Sequence, residues 1–484
     1  MVKKNQRSRI TIVGLGTGAP DSLTRLGWRR IHAARAIAVH SLAHRPDLFP
    51  EGTKTVLLDG DGSAGRDPSL AEELIGLAGE SHEVVLAVPG APDDWGSMVE
   101  EIRDRAGRAG VDLEKAPAVS LVEAARALVG GGRSGFSVLP ADELAGRHVP
   151  PFPPSSPAYL TGVQVESDLQ TLQAILLQNY PAGHELQRVS IDSGEVHPVR
   201  LDALDREPEG SPYSVWYVPP LARGAALEDF HEIVAHLRAP NGCPWDREQT
   251  HLSLRTNLLE ETYETLEALD AGDVPGMVEE FGDLLLQILL HAQIAVEAGE
   301  FRMADVVQGI YDKIIRRHPH VFGDVQIHEV TGVLQNWERL KAAEREKNGE
   351  NSRKKGILDG VPAVFPSLAQ AQEIQDRAAR VGFDWKELDG VLEKVEEELQ
   401  ELKTAPDREA QAAEAGDLLF AVVNLARWME IDAESALRET NARFRGRFGY
   451  IESRARERGT AVGDLGFDEM NRLWDEAKRK SREA

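Results

Sequence analysis

The chain has 484 residues, a formal net charge of -25, 42% hydrophobic and 28% charged residues, which suits a globular protein of roughly two to four domains and excludes a disordered acidic tail. The acidic excess argues against a binder of duplex nucleic acid or of an anionic membrane surface, and no uninterrupted apolar run approaches the roughly 18 residues of a membrane span. A single cysteine, Cys243, has no partner for an intramolecular disulfide, and the opening MVKKNQRSRITIVGLG lacks the apolar core of a signal peptide, so a cytoplasmic protein is expected.

From Arg9 to about Leu221 short β-rich runs alternate with amphipathic segments: ITIVGLG, a helical stretch near Leu26 to Ala36, then VVLAVPG at Val84 to Gly90. That alternation predicts an α/β domain. The loop GLGTGAP follows the first strand, and its Gly14, Gly16 and Gly18 permit close backbone approach. Gly14, Gly16 and Ala19 also fit a dinucleotide-binding spacing, but Pro20 disturbs the helix start and no acidic ribose partner follows near Val39. The dinucleotide reading therefore fails. PPFPPSSP at Pro150 to Pro157 excludes an interior helix or central strand and is expected to form a hinge between two lobes of this domain.

After SVWYVPP at Ser214 to Pro220 the pattern turns to long helical periodicity, so an all-α half is expected from about Leu227. The polar segment Ala342 to Gly356 reads as an exposed linker dividing it into two units. The expected domains are 1–222, 223–345 and 346–484. The two helical units repeat one another. The first carries Glu261, Glu264, Glu280, Asp283, Lys313, Arg317, Trp337 and Lys341; the second carries Glu398, Glu401, Glu414, Asp417, Arg443, Arg447, Trp474 and Lys478. The offsets are 137 for the first acidic pair, 134 for the second, 130 for the basic pair and 137 for the Trp–Lys pair. Spacing within each pair is kept while the connections change length.

Acids three apart on a helix share a face, so Glu261 with Glu264 and Glu280 with Asp283 each present two carboxylates side by side. If the helices pack antiparallel through Leu258, Leu259, Thr262, Leu266 and Leu284, Leu285, Ile288, the four groups converge and repel, and a hard divalent cation is the natural remedy. One such cluster alone reads as a solvated helix face, and a basic pair alone as a solvated or internally paired one. Two copies in the same order point to a site. Lys313 with Arg317, and Arg443 with Arg447, suit triphosphate oxygens. Trp337 and Lys341, like Trp474 and Lys478, could lay an indole near a base and an ammonium near a phosphate, although a tryptophan at helical spacing is more often core.

EExxE followed by EExxD, then RRHPHVF at Arg316 to Phe322, resembles the MazG family of nucleoside triphosphate pyrophosphohydrolases, within the all-α pyrophosphatase superfamily. FHEIVAHLRAPNGCPWDREQTHLSLR (Phe230 to Arg255) and QDRAARVGFDW (Gln375 to Trp385) are similar to the family's sequences ahead of its acidic helices. The resemblance implies Glu261, Glu264, Glu280, Asp283, Glu398, Glu401, Glu414 and Asp417 as metal ligands. It also implies Lys394, Glu397, Arg443, Arg447, Trp474 and Lys478 around the nucleotide. The second unit reads AEAGD, with Ala413 where the first acid of EExxD stands. The implied reaction is hydrolysis of an NTP to NMP and pyrophosphate in nucleotide-pool house-cleaning, with Mg²⁺, or Mn²⁺ in its place, orienting the triphosphate and activating water. Glu260 and Glu397 are candidates for orienting that water. A homodimer is implied as well.

IVGLGTGAPDSLT and AVPGAP (Ala87 to Pro92) resemble the two glycine loops of the tetrapyrrole (corrin/porphyrin) methylase family, and the fusion to tandem MazG units is similar to a YabN-type architecture. That resemblance implies S-adenosylmethionine near Gly14, Gly16, Gly18, Pro20, Pro89 and Gly90. The fold class expected is thus an α/β methylase-like domain followed by two all-α MazG-like domains. Two alternatives to NTP hydrolysis are methyl transfer to a tetrapyrrole-like substrate by the N-terminal domain, and a non-catalytic nucleotide-sensing module.

Overall fold

The computed structural model describes residues 8–483 apart from 41–44, 59–67, 131, 133–134, 145, 164–165, 209–210, 223, 328, 330–331, 334–335, 338 and 341–355. The chain divides into two compact units, Met1–Thr250 and His251–Ala484. The linker expected at Ala342 to Gly356 falls almost wholly outside the described residues, as does Lys341.

The first unit opens with a parallel five-stranded sheet in the order β3-β2-β4-β1-β5. Its strands are β1 (Arg9–Gly14), β2 (Ala36–His40), β3 (Lys54–Leu58), β4 (Glu83–Val88) and β5 (Asp112–Ala116), interleaved with α1 (Arg25–Ala33), α2 (Pro68–Ser81) and α3 (Gly96–Arg108). Strands covered on both faces read as near-continuous apolar runs. On β4, Val84, Leu86 and Val88 pack into one core while Val85 and Ala87 pack into the core opposite.

Then α4 (Leu121–Leu128) leads to a second sheet, β6 (Ser137–Pro140), β7 (Ala158–Thr161), β8 (Glu185–Ser190), β9 (Glu195–Arg200) and β10 (Ser214–Val218), with α5 (Glu166–Leu176) after β7. Its order is β6-β7-β10-β8-β9. β6 pairs with β7 in parallel, so PPFPPSSP connects two strands of one sheet and is not the joint between lobes. The change of sheet comes earlier, between β5 and β6. Prolines mark an irregular segment but do not say which sheet it serves. Two helices, α6 (Leu227–Arg238) and α7 (Pro244–Glu248), close this unit.

The second unit is helical: α8 (Arg255–Ala271), α9 (Val274–Ala298), α10 (Met303–Arg317) and α11 (Pro319–Phe322) in the first repeat; α12 (Ser367–Arg380), α13 (Leu388–Thr404), α14 (Arg408–Trp428), α15 (Ala433–Glu457) and α16 (Phe467–Glu483) in the second. Gly272 ends α8 in the left-handed region at φ 63°, and the Asp273 side chain then accepts from the Gly276 N–H to start α9. This two-residue joint forces an antiparallel hairpin. Asp407 caps α14 in the same way, accepting from Ala410 at 2.9 Å. The α8–α9 pair buries Thr265, Ala268, Gln287, Leu289 and Leu290, whereas Leu259 and Ile288, expected at the seam, are 55% and 42% exposed. The two repeats are joined by an ion pair, Arg438 Nε to Asp270 Oδ2 at 2.6 Å.

Among the described residues α9 is the one helix long and apolar enough to cross a membrane by length and composition. It nevertheless carries Glu279, Glu280 and Asp283 near its start.

Candidate metal centres

The hairpin α8–α9 brings Glu261, Glu264 and Glu280 together, with one carboxylate oxygen of each within 4.8 Å of the others, and the hairpin α13–α14 does the same with Glu398, Glu401 and Glu414. The fourth acids, Asp283 and Asp417, lie outside these triplets but close enough for their charges to act on Glu280 and Glu414. Thr265 Oγ1, buried between the helices, donates to the Glu261 carbonyl at 2.7 Å and reaches the Glu280 carbonyl at 3.5 Å. It therefore ties the two ligand-bearing backbones together.

Crowding makes these groups harder to ionise. Desolvation, then the charges of Asp283, Glu264 and Glu280, lift the Glu261 carboxyl above the usual carboxylate range, while a hydrogen bond from Gln287 pulls the other way. Partial desolvation followed by Glu264, Asp283 and Glu279 raises Glu280. Glu414 is raised by partial desolvation and then by Glu401, Glu398 and Asp417. Carboxylates held together against their own repulsion fit a divalent cation.

The two centres differ in what else touches them. In the second, Lys394 Nζ lies 2.7 Å from Glu398 and 3.1 Å from Glu397, and these bonds hold the ammonium above the ordinary lysine range. In the first, Asn257 takes the position of Lys394, and Glu260 is exposed like its counterpart Glu397.

A cavity of about 440 Å³ opens at the second centre, its lining including the charged Lys394, Glu398 and Asp417 and the aromatic Phe383, Trp385 and Phe420. Asp384, also in its lining, accepts from Arg427 at 2.7 Å and Trp428 at 3.0 Å. Phe383 and Trp385 lie in QDRAARVGFDW, and their place as aromatics just ahead of the acidic helix is the sequence signal for this cavity.

In each repeat one arginine meets the predicted tryptophan, while Lys313, Arg443 and Lys478 are not brought to it. Arg317 stacks over Trp337 at 5.3 Å and Arg447 over Trp474 at 5.5 Å. Lys313 lies on exposed α10 and Lys478 on the exposed face of α16. Arg443 bonds to Glu439 and Thr440 of its own helix. It also borders a cleft between the repeats, with Tyr263, Asp270 and Arg438.

In the first unit Gly14 ends β1, and Gly16 and Gly90 exchange backbone hydrogen bonds at 3.0 and 2.8 Å. A side chain at Gly14 would strike the Gly90 carbonyl, at Gly16 it would strike Ser22, and at Gly90 it would strike Asp94 and Leu121. At Gly18 it would meet Arg45 and Tyr213. Pro20 begins a short 3₁₀ turn, and the Pro89 carbonyl accepts from Trp95 Nε1 at 2.8 Å. The chain's own close packing thus accounts for these glycines without a ligand.

Residues 249–322 match the family model for the MazG nucleotide pyrophosphohydrolase domain, residues 371–444 that for phosphoribosyl-ATP pyrophosphohydrolase, and residues 9–132 that for tetrapyrrole (corrin/porphyrin) methylases. The protein YabN of Bacillus subtilis (strain 168) is 36% identical over 99% of its length and 98% of this chain. The nucleoside triphosphate pyrophosphohydrolase/pyrophosphatase MazG of Thermotoga maritima is 43% identical, covering 96% of that protein and 53% of this chain. The nucleoside triphosphate pyrophosphohydrolase of Escherichia coli (strain K12) is 41% identical over 95% of its length and 51% of this chain.

Proposed function

The chain belongs to the MazG family of nucleotide pyrophosphohydrolases, in the form that carries a methylase-type α/β domain ahead of two helical repeats, and on that footing we propose that it hydrolyses nucleoside triphosphates, ordinary or modified, to the monophosphate and pyrophosphate. The observation that carries this reading is the same carboxylate triplet built twice, at matching positions of two hairpins.

In this reading Glu261, Glu264, Glu280 and Asp283 hold a divalent cation in the first repeat, and Glu398, Glu401, Glu414 and Asp417 in the second, with Mg²⁺ as the ion of choice and Mn²⁺ as its substitute. When bound, the ion offsets triphosphate charge and polarises the reacting phosphorus. Glu397, and Glu260 in the first repeat, orient the water that attacks the α-phosphorus, so that the α–β bridging bond breaks and pyrophosphate departs. Lys394, Arg443, Arg447 and Lys478, with Lys313, Arg317 and Lys341 in the first repeat, serve the phosphate oxygens. Trp474 and Trp337 serve the nucleoside side, and the cavity walled by Phe383, Trp385 and Phe420 receives the base.

A homodimer is part of the reading. Helix α10 has no buried residue, and Val306, Val307, Ile310, Tyr311 and Ile314 stand exposed on it, an apolar face that a second copy would cover. A cytoplasmic enzyme with functional segments 1–222, 223–345 and 346–484 completes the reading. S-adenosylmethionine remains the ligand class that a methylase-type domain suggests, but no methyl-transfer step is assigned, because the glycines of both loops are accounted for by contacts within the chain. The test is pyrophosphate release from a panel of NTPs with Mg²⁺, with Mn²⁺ and with EDTA; release that ignores EDTA would contradict the reading.

A further inference from the structure

The cavity of the second repeat holds a polar arrangement that the chemistry above leaves unused. Asn424 is 4% exposed and lines the cavity. Its Oδ1 accepts from Arg427 Nε at 2.9 Å, and Arg427 also donates through Nη2 to Asp384 at 2.7 Å. The same Asp384 oxygen accepts from Trp428 Nε1 at 3.0 Å and from the Trp385 N–H at 2.9 Å. Arginine only donates, so the amide oxygen of Asn424 is the end that meets it. The N–H₂ end is left for the cavity, and no described residue bonds to it. The other buried amide in the lining, Gln375, differs: its Nε2 donates to the Phe420 carbonyl at 2.8 Å and its Oε1 is buried.

The place of Asn424 on its helix decides what it can meet. Asp417, Ala421 and Asn424 follow one another on α14 at steps of four and three and so share a face. Seven residues of helix carry Asn424 about 10 Å along the axis from the candidate ligand Asp417. With the triphosphate at the carboxylates, the part of a nucleotide that reaches two turns away is the edge of the base opposite the ribose. At position 4 of a pyrimidine or position 6 of a purine, an oxo base presents a carbonyl acceptor there and an amino base presents a donor. A fixed N–H₂ bonds to the first and is left facing a second donor by the other. At the offset of 134, Leu290 and Gln293 take the places of Asn424 and Arg427 in the first repeat. The arrangement therefore belongs to the second repeat.

We propose that Asn424 is a specificity-determining residue of the second repeat, its Nδ2 donating to the keto oxygen of an oxo base, so that this repeat favours nucleotides of uracil, hypoxanthine and guanine over those of cytosine and adenine. Uracil and hypoxanthine are the deamination products of cytosine and adenine, so the preference selects the damaged member of each pair. The inference rests on the reading that the cavity receives the base of a nucleoside triphosphate.

The experiment measures pyrophosphate release by the full chain carrying Glu261→Gln, so that the second repeat is read alone, on UTP against CTP and on ITP against ATP in Mg²⁺. The oxo member of each pair is expected to have a kcat/KM about tenfold higher. Asn424→Asp keeps the shape and the bond from Arg427 but replaces the donor by an acceptor, so the preference should invert. Asn424→Leu, with the residue type of Leu290, should bring both ratios near unity, and it covers the case in which a carboxylate there prevents folding. Ratios near unity without the Asn424 substitutions, or ratios unchanged by them, overturn the role of Asn424 and leave the hydrolase reading standing. An equal loss on all four nucleotides with unchanged ratios also overturns it, since it marks a brace for Arg427. Release by wild type that Glu261→Gln abolishes overturns the inference alone, because the second repeat then turns nothing over. No release by wild type from any nucleotide overturns both.

Discussion

Lys394 grips Glu398 at 2.7 Å across one turn of α13, and Glu398 is nearly buried where the second carboxylate cluster meets a 440 Å³ cavity. The lysine therefore does in the free enzyme part of what the cation does in the loaded one: it offsets a ligand that would otherwise sit uncompensated. Two consequences of opposite sign follow on removing it. Lys394→Met should tighten Mg²⁺ binding at the second centre severalfold, because the ion no longer competes with an ammonium. It should raise KM for the nucleotide about tenfold, the size of one charge-assisted hydrogen bond of roughly 1.5 kcal/mol. Steady-state kinetics and Mg²⁺ titration in a Glu261→Gln background separate the two, and a KM unchanged by the substitution would remove Lys394 from the substrate.

The raised carboxylates carry a pH signature. Glu280 is held above its ordinary value of 4.5 by partial desolvation and by Glu264, Asp283 and Glu279, so the folded metal-free protein binds its proton more tightly than the unfolded chain does. Its contribution to stability is thus complete below the ordinary value and is lost as pH rises through the raised one. In EDTA, Glu280→Gln should melt higher than wild type near neutral pH, with the gain shrinking as pH falls toward about 4.5. Saturating Mg²⁺ should reverse the order at neutral pH, since the ion binds only the intact cluster. Melting curves at several pH values, with and without the ion, check both signs. A gain independent of pH would show that repulsion is not its source.

The repeats are joined through Arg438 and Asp270 at 2.6 Å, both partly shielded from solvent at 23% and 29% exposure. Such a pair contributes about 1 kcal/mol at most. Asp270→Asn should lower the melting temperature of the helical unit by about 2–4 °C, the shift expected for that energy in a unit of this size. The charge swap Asp270→Arg with Arg438→Asp should recover most of it. Arg438 also donates to Ser435 at 2.9 Å, so Arg438→Ala is expected to cost more than Asp270→Asn.

How far the sequence led depended on whether a feature repeats along the chain or is assembled across it. The carboxylate triplets were legible because spacing of three on a helix and offsets of 137 and 134 between copies are properties of the string itself. The alternation of strand and helix up to Leu221 likewise gave the parallel sheet, since β4 shows its two buried faces as a continuous apolar run. The helix seam was less legible. Leu258, Leu266, Leu284 and Leu285 are half-buried as expected, but Leu259, Thr262 and Ile288 are exposed while Thr265 and Gln287 are polar and buried, so the residue pattern marks the seam only in part. The cavity gathers residues from α12, α13, α14 and the loop holding Phe383 and Trp385, and no single window of sequence contains it.

The most direct measurement is pyrophosphate release from nucleoside triphosphates by wild type, Glu261→Gln, Glu398→Gln and the double variant in Mg²⁺. Each substitution removes one ligand from one centre, so the double variant should fall at least about 100-fold below wild type, the range typical of losing a group that stabilises transition-state charge. The two single variants should divide the wild-type rate between the centres. Hydrolysis by the double variant at the wild-type rate would contradict the assignment of both carboxylate clusters.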